Sequence, residues 1–336
     1  MNEKYIEWIK KVIKINFDEK IGAEYWIRVG KKLNFNLIDI NDLTDLRLFG
    51  FFNPDILRDY PLEIFIPKVF LRNKSELIVG SSGGRTGKPK WVVYGRETYE
   101  YSIELLNSLM DKKRIPRDLN FLYIGPSGPH LFGKRVFDLC RRRNGLFYTI
   151  DLDPRWVRKL KGTEREKYIS HILDQAIDII RTQEVGVLFT TPIILSRLAK
   201  EEEIVNSEIR AIGLSGTPIT PEDYSLFAEI FSDKIIFGYY GNALFGVCPE
   251  ALVVDKKIVY QPPEPYVFFE VRDIINLEKR VEIGQEGRIL GHRISPELFI
   301  PNFLETDIAT RFKSEGCSDW IMNPKNIASE GEYGVY

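Results

Sequence analysis

Cysteine and histidine are scarce in this chain, with three of each in 336 residues. Cys140, Cys248 and Cys317 are odd in number and far apart, which argues against a disulfide framework and leaves buried structural thiols as the expected role. His130, His171 and His292 are equally scattered, and no spacing among these residues matches a metal-ligand pattern. No apolar run reaches the roughly eighteen residues of a membrane span. The opening Met1-Asn2-Glu3-Lys4 is charged and lacks the apolar core of a secretory leader, so the expected location is cytoplasmic. An excess of either charge is missing too: 47 Lys and Arg face 48 Asp and Glu, for a net charge of −1. Such balance argues against nucleic acid or a membrane surface as the main partner. The run Arg141-Arg142-Arg143 reads as the solvated end of a helix.

What is present is an ordinary globular composition, 44% hydrophobic and 28% charged, enough for one large domain or two medium ones. Residues 1–75 read as a helical cap or scaffold, opening with Ile6, Ile9, Val12 and Ile13 at helical spacing and broken by turns at Asn53-Pro54 and Tyr60-Pro61. From Glu76 to Gly246 strands and helices alternate. Strands are predicted at 120–125, 146–150, 185–189, 209–214 and 234–240, with helices at 97–111, 130–143 and from Thr163 onward. Thr163 and Glu166 form a capping-box pattern, while Thr191-Pro192 and Thr220-Pro221 read as helix starts. This grammar predicts an α/β core with a largely parallel sheet. Residues 247–307 turn to short strands and read as an antiparallel or barrel-like β-rich subdomain, leaving 308–336 as a short tail.

The stretch with most chemical content is Ser81-Ser82-Gly83-Gly84-Arg85-Thr86-Gly87-Lys88-Pro89-Lys90, set between the apolar runs Leu77–Gly80 and Trp91–Tyr94. Small residues let backbone N–H groups approach an anion, hydroxyls add donors, and three cations supply charge. A plain hairpin loop is the simpler alternative. A nucleotide-binding Walker loop is excluded, because Ser82 stands where its first glycine belongs and Pro89 replaces the magnesium-binding hydroxyl. The dinucleotide fingerprint fails as well, since no helix follows the loop.

Read from Ser82, the loop resembles the Ser-Gly-Thr-Thr-Gly-x-Pro-Lys signature of the adenylate-forming superfamily, which includes acyl- and aryl-CoA ligases, peptide-synthetase adenylation domains and luciferase. Gly84-Arg85 is the departure. Further segments resemble the family in order: Pro129-His130-Leu131-Phe132-Gly133 beside the acyl pocket, Ser215-Gly216-Thr217-Pro218 against adenine, Gly238-Tyr239-Tyr240-Gly241-Asn242 for the adenine-stacking Tyr-Gly motif, and Phe303-Leu304-Glu305-Thr306-Asp307 for the ribose-binding aspartate. The branch of phenylacetate-CoA ligase-like and phenazine-biosynthesis aryl-CoA ligase-like proteins is the most similar.

The resemblance implies an α/β large domain that binds ATP or AMP and activates a carboxylic acid, aromatic in that branch. Ser82, Gly83, Gly84, Arg85, Thr86, Gly87 and Lys90 would hold phosphate, with Thr86, Lys90 and His130 closest to the chemistry. Gly216, Thr217, Pro218, Tyr240, Gly241 and Asn242 would hold adenine, and Asp307 the ribose. Two departures limit this expectation. Leu244 stands where the family has its magnesium-binding glutamate, with Glu250 as a nearby substitute. The mobile C-terminal domain and its lysine are expected to be missing, so CoA thioester formation would need a protein partner supplying that function. A homodimer stays open. The alternative to an enzyme is a degenerate, non-catalytic protein that binds a nucleotide or an aryl compound.

Overall fold

Unbroken apolar runs set the centre of the fold. All six residues of Val185–Thr190 and all four of Ala211–Leu214 are buried, as expected for strands covered by helices on both faces. The structure is a computed structural model and describes residues 3–84 and 87–327. Its strands are β1 (Leu77–Ser81), β2 (Trp91–Gly95), β3 (Asn120–Gly125), β4 (Phe147–Asp151), β5 (Val185–Thr190), β6 (Ala211–Leu214), β7 (Ile235–Asn242), β8 (Gly246–Val254), β9 (Lys257–Tyr260), β10 (Val267–Arg272), β11 (Glu286–Ser295), β12 (Leu298–Phe312) and β13 (Trp320–Asn326). Strands β1 and β2 form an antiparallel hairpin by themselves. The other eleven form one mixed sheet ordered β10-β11-β12-β13-β9-β8-β7-β6-β5-β3-β4. The β4-β3-β5-β6-β7 half is parallel, and from β8 onward every pairing is antiparallel.

The helices are α1 (Glu3–Phe17), α2 (Glu24–Gly30), α3 (Ile56–Asp59), α4 (Lys68–Leu71), α5 (Arg96–Lys112), α6 (Leu131–Arg142), α7 (Pro154–Lys159), α8 (Gly162–Thr182), α9 (Pro192–Leu198), α10 (Glu202–Val205) and α11 (Pro221–Ile230). Thr191 caps α9 and Thr220 caps α11, each followed by proline at the first helical position. The capping box expected at Thr163 does not form: α8 starts at Gly162 after Lys161, so Thr163 already lies inside the first turn. The reciprocal box forms instead between Thr220 and Asp223.

The N-terminal helices are fastened to the antiparallel half. Trp8 Nε1 donates to the Ile294 carbonyl at 2.9 Å, and Trp26 Nε1 to that of Phe299 at 3.0 Å. Around them Phe17, Phe49 and Phe299 pack with Trp26, placing apolar rings where a polar indole tip still finds a partner. Residues 308–326, read from the sequence as tail, are the end of β12 and strand β13. The latter pairs with both β12 and β9 and is integral to the sheet. The Phe303–Asp307 segment is correspondingly mid-strand and not a loop.

Candidate active site

Loops at the carboxyl ends of the parallel strands meet the β1–β2 hairpin and the middle of β12 around a cleft of about 330 Å³. Such ends are where open α/β sheets collect ligands. The hairpin loop is pinned at its base by reciprocal bonds: Ser82 N donates to the Lys90 carbonyl and Lys90 N to Ser82 Oγ, both at 2.9 Å. Gly84 has φ +67°, and a Cβ there would stand 2.9 Å from the Gly87 carbonyl oxygen, so only glycine fits the bend. Ser82, Gly83, Gly84 and Lys90 line the cleft. Gly87 is turned toward the Arg58 guanidinium and is not among the lining residues. Arg85 and Thr86 lie outside the described residues.

Each expected segment after a parallel strand reaches the same cleft. His130 follows β3, Gly216, Thr217 and Pro218 follow β6, and Tyr240, Gly241 and Asn242 end β7. Asp307 comes from β12. Tyr240 Oη donates to Asp307 Oδ2 at 3.0 Å, and Asn326 Nδ2 to Asp307 Oδ1 at 2.9 Å. The Tyr240 ring is braced by Phe245 and Tyr260. Burial pushes its phenol well above the usual range, with the Asp307 charge adding to the shift. His130 is the N-cap residue of α6 but makes no side-chain cap bond, and its buried Nε2 has no hydrogen-bond partner. Burial, reinforced by the Arg155 charge, lowers its pKa and favours the neutral imidazole.

The charges in the cleft are unevenly matched. Lys90 Nζ lies 3.7 Å from Asp55, and burial holds the ammonium below its usual range, with Arg58 adding to it and Glu305 and Asp55 opposing. Glu305, two residues before Asp307, is pushed up to about 7 by burial and by the Asp307 charge. Asn242 Nδ2 donates to Glu305 Oε1 at 2.7 Å and partly offsets that rise. Arg158 donates to the Gly83 carbonyl and brings a further cation beside the hairpin loop.

Leu244 is buried at 5% exposure and offers no metal ligand. Glu250, the substitute considered from the sequence, is engaged elsewhere: its Oε2 accepts from Gly238 N at 3.0 Å and its Oε1 pairs with Lys113 Nζ at 2.6 Å. It is not a lining residue of the cleft. Among the described residues no group of three His, Cys, Asp or Glu side chains is placed to hold a metal. Glu305, Asn326, Arg135 and Arg158 also line the cleft, and sequence reasoning missed all four. Glu305 had a signal, as the acidic residue inside the aspartate segment. Arg135 had one as well, four positions after Leu131 on the buried face of α6. Asn326 and Arg158 had none.

No protein-family model and no curated protein sequence matches this chain. Solved structures do. The 2-hydroxyisobutyryl-CoA ligase in complex with 2-HIB-AMP and CoA in the thioesterification state aligns with a TM-score of 0.67 at 16% identity, over 97% of this chain and 68% of that one. The same ligase in the postadenylation state with 2-HIB-AMP gives 0.67 at 15%, over 96% and 66%. Its open conformation gives 0.64 at 15%, over 97% and 73%. This chain thus spans about two thirds of that ligase's length. At this identity the likeness carries the fold alone: a large mixed sheet flanked by helices. Among the described residues no helix is long and apolar enough to cross a membrane.

Proposed function

We propose that this protein adenylates a carboxylic acid: acid and ATP give acyl-AMP and pyrophosphate. The observation that carries the reading is convergence. Four separated segments (the hairpin loop, Gly216–Pro218, Tyr240–Asn242 and Asp307) line one cleft. The loop amides of Gly83 and Gly84, with Lys90, Thr86 and Arg85, hold the phosphates, while a carboxylate oxygen of the acid attacks the α-phosphorus. The bond to the bridging oxygen breaks and pyrophosphate leaves with its electron pair. Lys90 stabilises charge on the phosphoryl oxygens as it develops. Tyr240 and the Gly216–Pro218 backbone receive the adenine.

Asp307 takes the ribose hydroxyls. Its bonds from Tyr240 and Asn326 leave room, because an ionised carboxylate has about four acceptor sites. Tyr123 and Phe132 supply an aromatic wall for the acid, which favours an aryl substrate. Magnesium accompanies the triphosphate and offsets its charge. The residue that fits it is Glu305, a cleft-lining carboxyl whose pKa is raised by burial first and by the neighbouring Asp307 charge second. One carboxylate plus nucleotide phosphates is an ordinary magnesium environment.

ATP–pyrophosphate exchange across a panel of acids, with magnesium, is the test, paired with calorimetry of AMP binding. Acid-dependent exchange is expected. A second reading, a non-catalytic nucleotide-binding protein, draws on Leu244 in place of the family glutamate. It would be supported by AMP binding without exchange. Absence of AMP binding would defeat both.

A further inference from the structure

Among the described residues four arginines are buried: Arg135, Arg143, Arg272 and Arg293. Three of them sit against carboxylates. Arg143 pairs with Asp111 at 2.7 Å, Arg293 with Glu297 at 3.1 Å, and Arg272 with Glu270. Arg135, at 2% exposure, forms no ion pair among the described residues. Its Nε donates to Ser102 Oγ at 2.8 Å. Its guanidinium carbon lies 4.6 Å from the Tyr94 ring centroid and 5.5 Å from that of Tyr99. These are neutral partners, with the Tyr94 hydroxyl also interacting with the guanidinium, and its buried Nη2 makes no well-formed hydrogen bond. A buried cation with an unmet N–H is unfavourable unless something supplies the missing charge.

The position of that N–H indicates what supplies it. Arg135 lines the cleft, one helical turn beyond Leu131 and about 6 Å along the α6 axis. Helical side chains lean toward the N-terminus, so its head group is carried back toward the end of α6 where His130 sits. Across from it is the turn leading into β8, where a Cβ on Gly246 would stand 3.8 Å from Nη2. Gly246 also lines the cleft, so at this point the guanidinium faces backbone and not a side chain.

We propose that Arg135 binds a second carboxylate on the acid, so that the substrate is a short dicarboxylic acid. One carboxylate is presented near His130 for adenylation and the other forms a paired hydrogen bond with the Arg135 guanidinium. This rests on the adenylation reading and narrows it. The reaction is unchanged: one carboxylate attacks the α-phosphorus, pyrophosphate leaves, and the second carboxylate stays ionised and bound.

Matched pairs decide the matter: benzoate against benzene-1,3- and 1,4-dicarboxylate, and butyrate against glutarate. They are compared by ATP–pyrophosphate exchange and by calorimetry in the presence of saturating AMP. In the unmodified protein the preferred diacid is expected to exceed its monoacid partner at least tenfold in kcat/KM. Arg135→Met should lower the diacid value on the order of 100-fold, leave the monoacid value unreduced and leave AMP binding unchanged. Arg135→Lys, which keeps the charge without the fork, should fall between the two and covers the case in which the Met variant fails to fold. Equal use of mono- and diacids by the unmodified protein overturns the proposal. So does an Arg135→Met variant that loses both classes alike with AMP binding intact, or AMP binding with no diacid bound beside it. Loss of AMP binding in the unmodified protein would instead bring down the adenylation reading on which this rests.

Discussion

Glu305→Gln should make the protein more stable at neutral and alkaline pH. The wild-type carboxyl rises from an ordinary 4.5 to about 7 in the folded state, through burial and the Asp307 charge. The folded protein therefore binds the proton more tightly than the unfolded chain does. The stability associated with that proton is fully present below about pH 4.5 and is lost as pH rises to about 7. The full shift is worth about 3 kcal/mol, and water at the open side of the cleft reduces this to about 2 kcal/mol as a working figure. Glutamine is neutral throughout and keeps an oxygen for the bond from Asn242. The comparison needed is urea unfolding of both proteins at half-unit steps from pH 4.5 to 8.5. The stability difference should be near zero at the acid end, grow in favour of the variant from about pH 4.5 to about 7, and level off above. Taking the difference removes the contribution of groups that titrate alike in both proteins. A difference that stays flat across the range would refute the argument. A difference that grows toward acid would mean that Glu305 is held ionised by a cation in the cleft.

Tyr240→Phe removes the hydroxyl that orients Asp307 and should weaken AMP binding roughly tenfold by calorimetry, while AMP binding equal to wild type would deny Asp307 its ribose role. Gly133→Ala places a Cβ 2.9 Å from the Tyr123 ring and 3.0 Å from the Pro126 carbonyl oxygen. It should lower stability by about 1–3 kcal/mol in urea unfolding, and an unchanged midpoint would show that α6 shifts without strain. Glu250→Ala strands Lys113 and the Gly238 amide, and should lower stability by about 3 kcal/mol while leaving the magnesium dependence of exchange unaltered. A changed magnesium requirement would return Glu250 to the site.

The parallel half of the sheet was legible because its strands are short, wholly apolar and separated by helices with recognisable starts. Val185–Thr190 carries no charge, and Thr191-Pro192 marks the turn into α9. The antiparallel half was less so. β12 runs for 15 residues but includes Asn302, Glu305, Thr306, Asp307 and Arg311, several of which face the cleft or pair with other strands. A strand whose polar residues serve a site loses the alternation that announces a strand, so only Leu298–Ile300 stood out. β13 has Pro324 and two asparagines in its 7 residues, poor strand formers tolerated where pairing to β12 and β9 is irregular or brief. The site followed the same division. Motif residues were visible one by one, whereas their partners come from far along the chain: Asn242 meets Glu305 across 63 positions, and Asn326 belongs to a segment that had no strand signature.

Two ionisable groups of opposite sign, Glu305 and Arg135, line one cleft without an ion pair between them, Glu305 being only partly offset by its bond from Asn242. Glu305 is pushed up to about 7 by burial and, after it, by the Asp307 charge, and Arg135 is buried against neutral rings with an N–H unsatisfied. In Arg143 and Arg293 the same fold meets a buried guanidinium with a carboxylate a few ångströms away. Nothing in the chemistry of the chain prevented that solution at Arg135. A purely structural role would leave a cost of this kind uncorrected, whereas a binding role requires it, because a guanidinium already paired would have to surrender its partner before taking a ligand. The two sites also call for different things. Glu305 would be relieved by a cation travelling with a triphosphate, and Arg135 by an anion that fits between α6 and the start of β8. A magnesium nucleotide and a diacid together would satisfy both, which ties the two proposals to one occupied cleft.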